Sequence, residues 1–94
     1  MSDPGRSPVE RIVLEGEYDL VRRDELHETF SRVDGTCPVV LDLRDVTYAD
    51  SSFFNELATL RLNHPGCRII LEKPTAEVLR VLQILRFQTG FDIE

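Results

Sequence analysis

Three short polar side chains, Asp50, Ser51 and Ser52, stand together between an apolar run and a helix-spaced one. Hydroxyls beside a carboxylate at that place suit two kinds of chemistry. One is local: an oxygen on a short side chain accepts from the free N–H groups at a helix start, so all three residues are good caps. The other is outward: a hydroxyl displayed at the carboxyl end of a strand, where open α/β sheets put their sites. Both readings stay open from the local pattern. A serine nucleophile further needs a base held in reach. His27 falls on a charged helical face with Arg23, Glu25 and Glu28, and His64 precedes Pro65 in a turn, so neither is expected to serve. Gly5, Gly16, Gly35, Gly66 and Gly90 are isolated, which leaves no glycine-rich phosphate loop. The two histidines and two cysteines lack zinc-ligand spacing. No catalysis, no metal and no cofactor are expected.

The elements that must hold this motif follow from periodicity. Val39-Val40-Leu41-Asp42-Leu43 is a β-branched, apolar run that suits a strand buried on both faces. Phe54, Leu57 and Leu60 or Arg61 are helix-spaced and stop at Asn63-His64-Pro65-Gly66. The motif therefore sits at a strand-to-helix turn. Ahead of it, Ile12-Val13-Leu14 reads as a strand running into Glu15-Gly16-Glu17-Tyr18-Asp19, with Gly16 suited to a bend or bulge. Asp19 can cap a first helix over roughly Arg22 to Val33, with Leu26, Phe30 and Val33 as its stripe and Asp34-Gly35 as its stop. Behind it come a third strand, Cys67 to Leu71, and a helix capped by Thr75 with Val78, Leu82 and Leu85 inward. Phe91-Asp92-Ile93 could add a short edge strand. Alternating strands and helices imply an α/β layer protein with largely parallel strands joined right-handedly.

Length and charge narrow the class. Ninety-four residues make one domain, here 9–94, and Met1 to Pro8 reads as a loose, flexible N-terminal tail. A net charge of −6, with scattered arginines, excludes the basic footprint of a nucleic-acid binder and favours a basic partner. No stretch reaches the length of a membrane span and no secretion signal is visible, so a cytoplasmic protein without membrane insertion is expected. Cys37 and Cys67 each lie where a strand begins, so they are candidates for spatial neighbours. In a reducing cytoplasm they read as buried small apolar residues.

Gly16-Glu17-Tyr18-Asp19, then Val39 to Leu43, then Val46-Thr47-Tyr48-Ala49-Asp50-Ser51-Ser52 resemble the landmarks of STAS domains, the fold of bacterial anti-sigma factor antagonists. Cys67 to Glu72 and Phe91-Asp92-Ile93 fall where that family has them, so the resemblance spans about Ile12 to Ile93. It implies a mixed four- to five-stranded sheet with helices mainly on one face, and a monomer or weak dimer. It further implies a binding partner that is both an anti-sigma factor and a serine kinase, a cognate phosphatase, and a freed sigma factor. Ser52, less favourably Ser51, would be the phosphoacceptor, with Asp50 helping to place it. Asp50, Ser51, Ser52, Phe53 and Tyr48 would face the partner. Some STAS domains serve stress-signalling or transporter assemblies instead. The sequence departs from the family in two places: Phe53 stands where relatives usually have Gly, and no clear N-terminal strand precedes Val9. Phe53 is one helical step, about 100°, from inward Phe54. It is expected either to point outward as an anchor for the partner or to fold back over Leu57.

Overall fold

The computed structural model describes residues 10–33 and 37–94. Strand β1 (Glu10–Tyr18) leads through a 3₁₀ turn at Leu20–Arg22 into helix α1 (Arg23–Ser31). Strand β2 (Val39–Ala49) is followed by α2 (Ser51–Asn63), β3 (Ile69–Glu72), α3 (Ala76–Ile84), a 3₁₀ turn at Phe87–Thr89 and β4 (Asp92–Ile93). The expected tail, any strand ahead of Glu10, and the Asp34-Gly35 stop lie outside the described residues.

The sheet runs β1-β2-β3-β4, and every pairing among the described strands is parallel. When consecutive parallel neighbours are joined right-handedly, all crossovers fall on one side, so the three helices share a face. Burial agrees. Leu14 and Tyr18 of β1, Val39, Leu41, Leu43 and Val46 of β2, and Ile69 and Leu71 of β3 join the buried cluster with residues of all three helices. Alternate positions turn to the other face, as the strand period of two requires. There Arg11 bridges Asp42 and Glu72 across three strands, and Arg68 pairs with Asp92 and Glu94. Val40 and Ile70 flank these groups in register, Arg11 being level with Val40 and Ile70 level with Asp92. They are buried without belonging to the helix-side cluster. Hydrogen bonding to Glu72 raises the Arg11 pKa further above its ordinary value, and hydrogen bonding to Asp92 does the same for Arg68.

β1 and β2 extend well past the sheet's short third and fourth strands, with register shifts between Val13 and Glu15 and between Gly16 and Glu17. Gly16 has φ +84°, a backbone conformation that side chains resist. A Cβ there would also come within 3.1 Å of the Arg22 guanidinium. Gly16 thus lies at the bulge its type suggested, and the strand continues past it to Tyr18.

The cysteines are neighbours, as their positions suggested, but they are not free thiols. Cys37 and Cys67 form a disulfide, with Cα atoms 5.5 Å apart. Each lies two residues before a paired strand residue, Val39 or Ile69, and the Val39 N–H donates to the Arg68 carbonyl at 2.9 Å. The sheet register itself brings them together.

Candidate functional site

The site grows from the place where β1 and β2 end together. The Asp50 N–H donates to the Tyr18 carbonyl at 3.1 Å, which ties the start of α2 to the end of β1. Asp50 is extended, with φ −100° and ψ −171°, and its Oδ1 accepts from the Ser52 N–H at 2.9 Å. Its own carbonyl accepts from the N–H groups of Phe53 and Phe54 at 3.1 and 3.4 Å. One aspartate thus supplies the cap. Neither serine hydroxyl is needed for it, and neither has a hydrogen-bond partner among the described residues. Ser51 is exposed and Ser52 half-buried in the first turn of a 13-residue helix. No acidic residue occupies the first turn itself, so the carboxylate that meets the positive helix end is that of the Asp50 cap. The expected position of the motif is therefore the observed one, with the capping and display roles divided between Asp50 and the serines.

Two of the other expected contact residues behave differently from each other. Tyr48 is half exposed at the end of β2, available to a partner. Phe53 is not: only 1% of it is accessible. The outward anchor is therefore corrected in favour of the folded-back ring. The reason is that α2 packs beside α1 and over the end of β1, so two adjacent positions of one helix are both covered. Phe53, Leu57 and Leu60 form a stripe at i, i+4 and i+7, and Phe54 widens it. The Phe53 ring lies 5.3 Å from Tyr18 and 5.3 Å, edge-on, from Phe54. Phe54 meets Phe87 at 6.2 Å, and Phe87 stacks on Phe91 at 5.3 Å. A ladder of five aromatic rings thus runs beneath the motif to the last strand.

The other rim of the site is formed by residues that no expectation from the sequence included. Asp19 caps the 3₁₀ turn, accepting from Val21 and Arg22 N–H groups at 3.1 and 3.3 Å. This sets Leu20 and Val21 on the same end of the sheet as Ser52, 66% and 89% exposed. Their signal was present: an apolar pair that belongs to no core stripe of α1. Arg22 secures the rim. Its guanidinium donates to the carbonyls of Glu15 and Glu17 at 2.8 and 3.1 Å, lies 4.1 Å over the Tyr18 ring, and pairs with Glu25 at 2.7 Å. Hydrogen bonding to Glu25 raises its pKa above the ordinary value, against the effect of desolvation.

The histidines lie elsewhere on the helices. His27 Nδ1 meets Glu56 Oε1 at 2.9 Å across α1 and α2, and His64 ends α2. Among the described residues, no group of histidines, cysteines and carboxylates could hold a metal ion, and no helix is long and apolar enough to cross a membrane.

Residues 4–93 match the family model described as "Mlab, STAS domain". A STAS-domain containing protein of Pseudomonas aeruginosa is 34% identical over 86 residues, covering 87% of this chain and 84% of that protein. The strand-to-helix turn at Asp50-Ser51-Ser52, the one-sided helical layer and these matches together show that the chain belongs to the STAS domain family.

Proposed function

We propose that this domain is an anti-sigma factor antagonist, a non-catalytic binding module that docks an anti-sigma factor with serine kinase activity in the cytoplasm. Phosphorylation of Ser52 switches the contact off, and a phosphatase restores it. The observation that carries this reading is the division of labour at the turn. Asp50 makes the cap, so the Ser52 hydroxyl is spare, and Leu20, Val21 and Tyr48 give that end exposed apolar surface. The buried Phe53 ring supports it further, because that ring does not stand between Ser52 and a partner. His27 pairs with Glu56 and not with Ser52, which favours a phosphoacceptor over a nucleophile.

The energetics of such a switch are modest. A phosphoryl group adds about −1.5 to −2 charges, and a helix N-terminus tolerates an anion. The cost falls on the partner, which must desolvate or repel the new charge. A hundredfold loss in affinity needs only about 2.7 kcal/mol. One buried, unpaired charge supplies that much.

A second reading is a permanent assembly module, which would use the same exposed Leu20, Val21 and Tyr48 without any phosphate on Ser52. Intact mass of the protein from its own cells, with and without stress, separates the two. The switch predicts one phosphate mapped to Ser52, lost in Ser52→Ala while binding is kept. It also predicts weakened binding in Ser52→Asp. No phosphate under any condition, with undiminished Ser52→Asp binding, selects the permanent module.

A further inference from the structure

We propose that Cys37 and Cys67 are a reversible redox staple, opened and closed by exchange with low-molecular-weight thiols and disulfides of the glutathione type. The sheet ladder that pairs Val39 with Ile69 and the Val39 N–H bond to the Arg68 carbonyl hold the two residues close without calling on the sulfurs. Their Cα separation of 5.5 Å lies in the range that a disulfide needs. Reduction therefore leaves two thiols in place to pair again.

Access and leaving-group chemistry both favour exchange. Cys37 is half-buried, whereas Cys67 is 5% exposed and lines an open cleft of about 520 Å³ with Arg61 and Arg68. Arg68 is paired with Asp92 and Glu94. Arg61 donates to the main-chain carbonyls of His64 and Gly90 and forms no salt bridge among the described residues, although Asp92 lines the same cleft. The Cys67 Sγ lies 3.8 Å from the Arg68 main-chain carbonyl, and cationic side chains lining the same cleft favour the thiolate as a leaving group. An external thiolate attacks Cys37 Sγ, forming a mixed disulfide and expelling the Cys67 thiolate into this cleft. A second external thiolate attacks the external sulfur of the mixed disulfide and releases the Cys37 thiolate. Two external thiols are oxidised to one disulfide, and the protein disulfide is reduced to two thiols. Closure is the reverse, with the external disulfide as oxidant.

The position of the staple gives it a consequence. The bonded residues are 30 apart in sequence, and the segment between them is β2 and α2, which carries Asp50, Ser51 and Ser52. Oxidation closes the loop that contains the site, at the end of the sheet opposite to it. The reversible character rests on the cytoplasmic placement proposed above, since bridges in that compartment are transient or redox-sensing.

The test uses the full chain in buffers of graded glutathione thiol-to-disulfide ratio. Free thiols are counted by alkylation after acid quenching and unfolding, and melting is followed at each ratio. The expected result is a passage from two thiols to none across the series. Melting temperature should rise by about 15–20 °C between its ends, as a loop of this length implies. Cys37→Ser should match the reduced wild type at every ratio. A bridge that survives the most reducing buffer is a permanent strut, and one that never forms in the most oxidising buffer is no bridge; either overturns the proposal. So does melting that is indifferent to the thiol count. No partner is needed, so failure here leaves the Ser52 switch standing, and failure of that switch does not alter the thiol count.

Discussion

At Phe53 the side chain that looked most functional proves to be structural. Its ring fills the space between Tyr18 and Phe54, and truncating such a buried phenyl costs about 3–5 kcal/mol through lost transfer energy and the cavity left behind. Phe53→Ala should therefore lower the urea midpoint sharply. Glycine at the same position, the family's usual residue, should be worse by about 1 kcal/mol through helix propensity. Loss of partner affinity in Phe53→Ala without loss of stability would restore the anchor role. The ring's direction was not legible in the sequence for a definite reason. Phe53-Leu57-Leu60 and Phe54-Leu57-Arg61 are equally good helical stripes, and only the position of α2 beside α1 covers both phenylalanines. Leu20 and Val21 were missed for the opposite reason: two exposed apolar residues break no pattern until the core stripe of α1 is known.

Capping decides what the elements can do. Because Asp50 satisfies the start of α2 through its side chain, Asp50→Ala should cost about 0.5–2 kcal/mol, and Asp50→Asn should recover most of it. If the serines share the cap, Asp50→Ala should be nearly silent in thermal melts. The caps at Asp19, Asp50 and Thr75 were all readable from residue type, and each accepts from an N–H of the following turn. The strand limits were less readable. β1 passes through Gly16 and β2 runs on to Ala49, because two polar, mostly exposed segments pair with each other beyond the sheet's short third and fourth strands. Alternation at bulges is broken, so periodicity gives no warning of such an extension.

For the whole molecule, the helix-free face of the sheet carries guanidinium and carboxylate groups in place of a second helical layer. The Asp42 carboxyl is held below its ordinary value near 3.8, first by the Arg44 N–H donating to it at 3.0 Å, and then by the charges of Arg44 and Arg11. A depressed folded pKa means stability that is complete above that ordinary value. It is lost as pH falls through the lower, folded one. Asp42→Asn keeps an acceptor for Arg44 while removing the charge, so its unfolding free energy should fall less steeply with acid than that of wild type. Parallel acid limbs would mean that Asp42 contributes nothing to the pH dependence. The open face itself was one of two layouts that alternating strands and helices allowed, and the sheet order β1-β2-β3-β4 decides it. The disulfide was hidden because proximity of strand starts suggests neighbours but does not state their oxidation.

Charge on Ser52 is proposed to remove the partner while the fold remains. The most direct test is calorimetric titration of the anti-sigma factor kinase with unmodified and Ser52-phosphorylated protein, with melting curves of both. The phosphoprotein should bind at least about a hundredfold more weakly, with melting temperatures that coincide. Equal affinities would contradict this, and so would weaker binding accompanied by a melted domain.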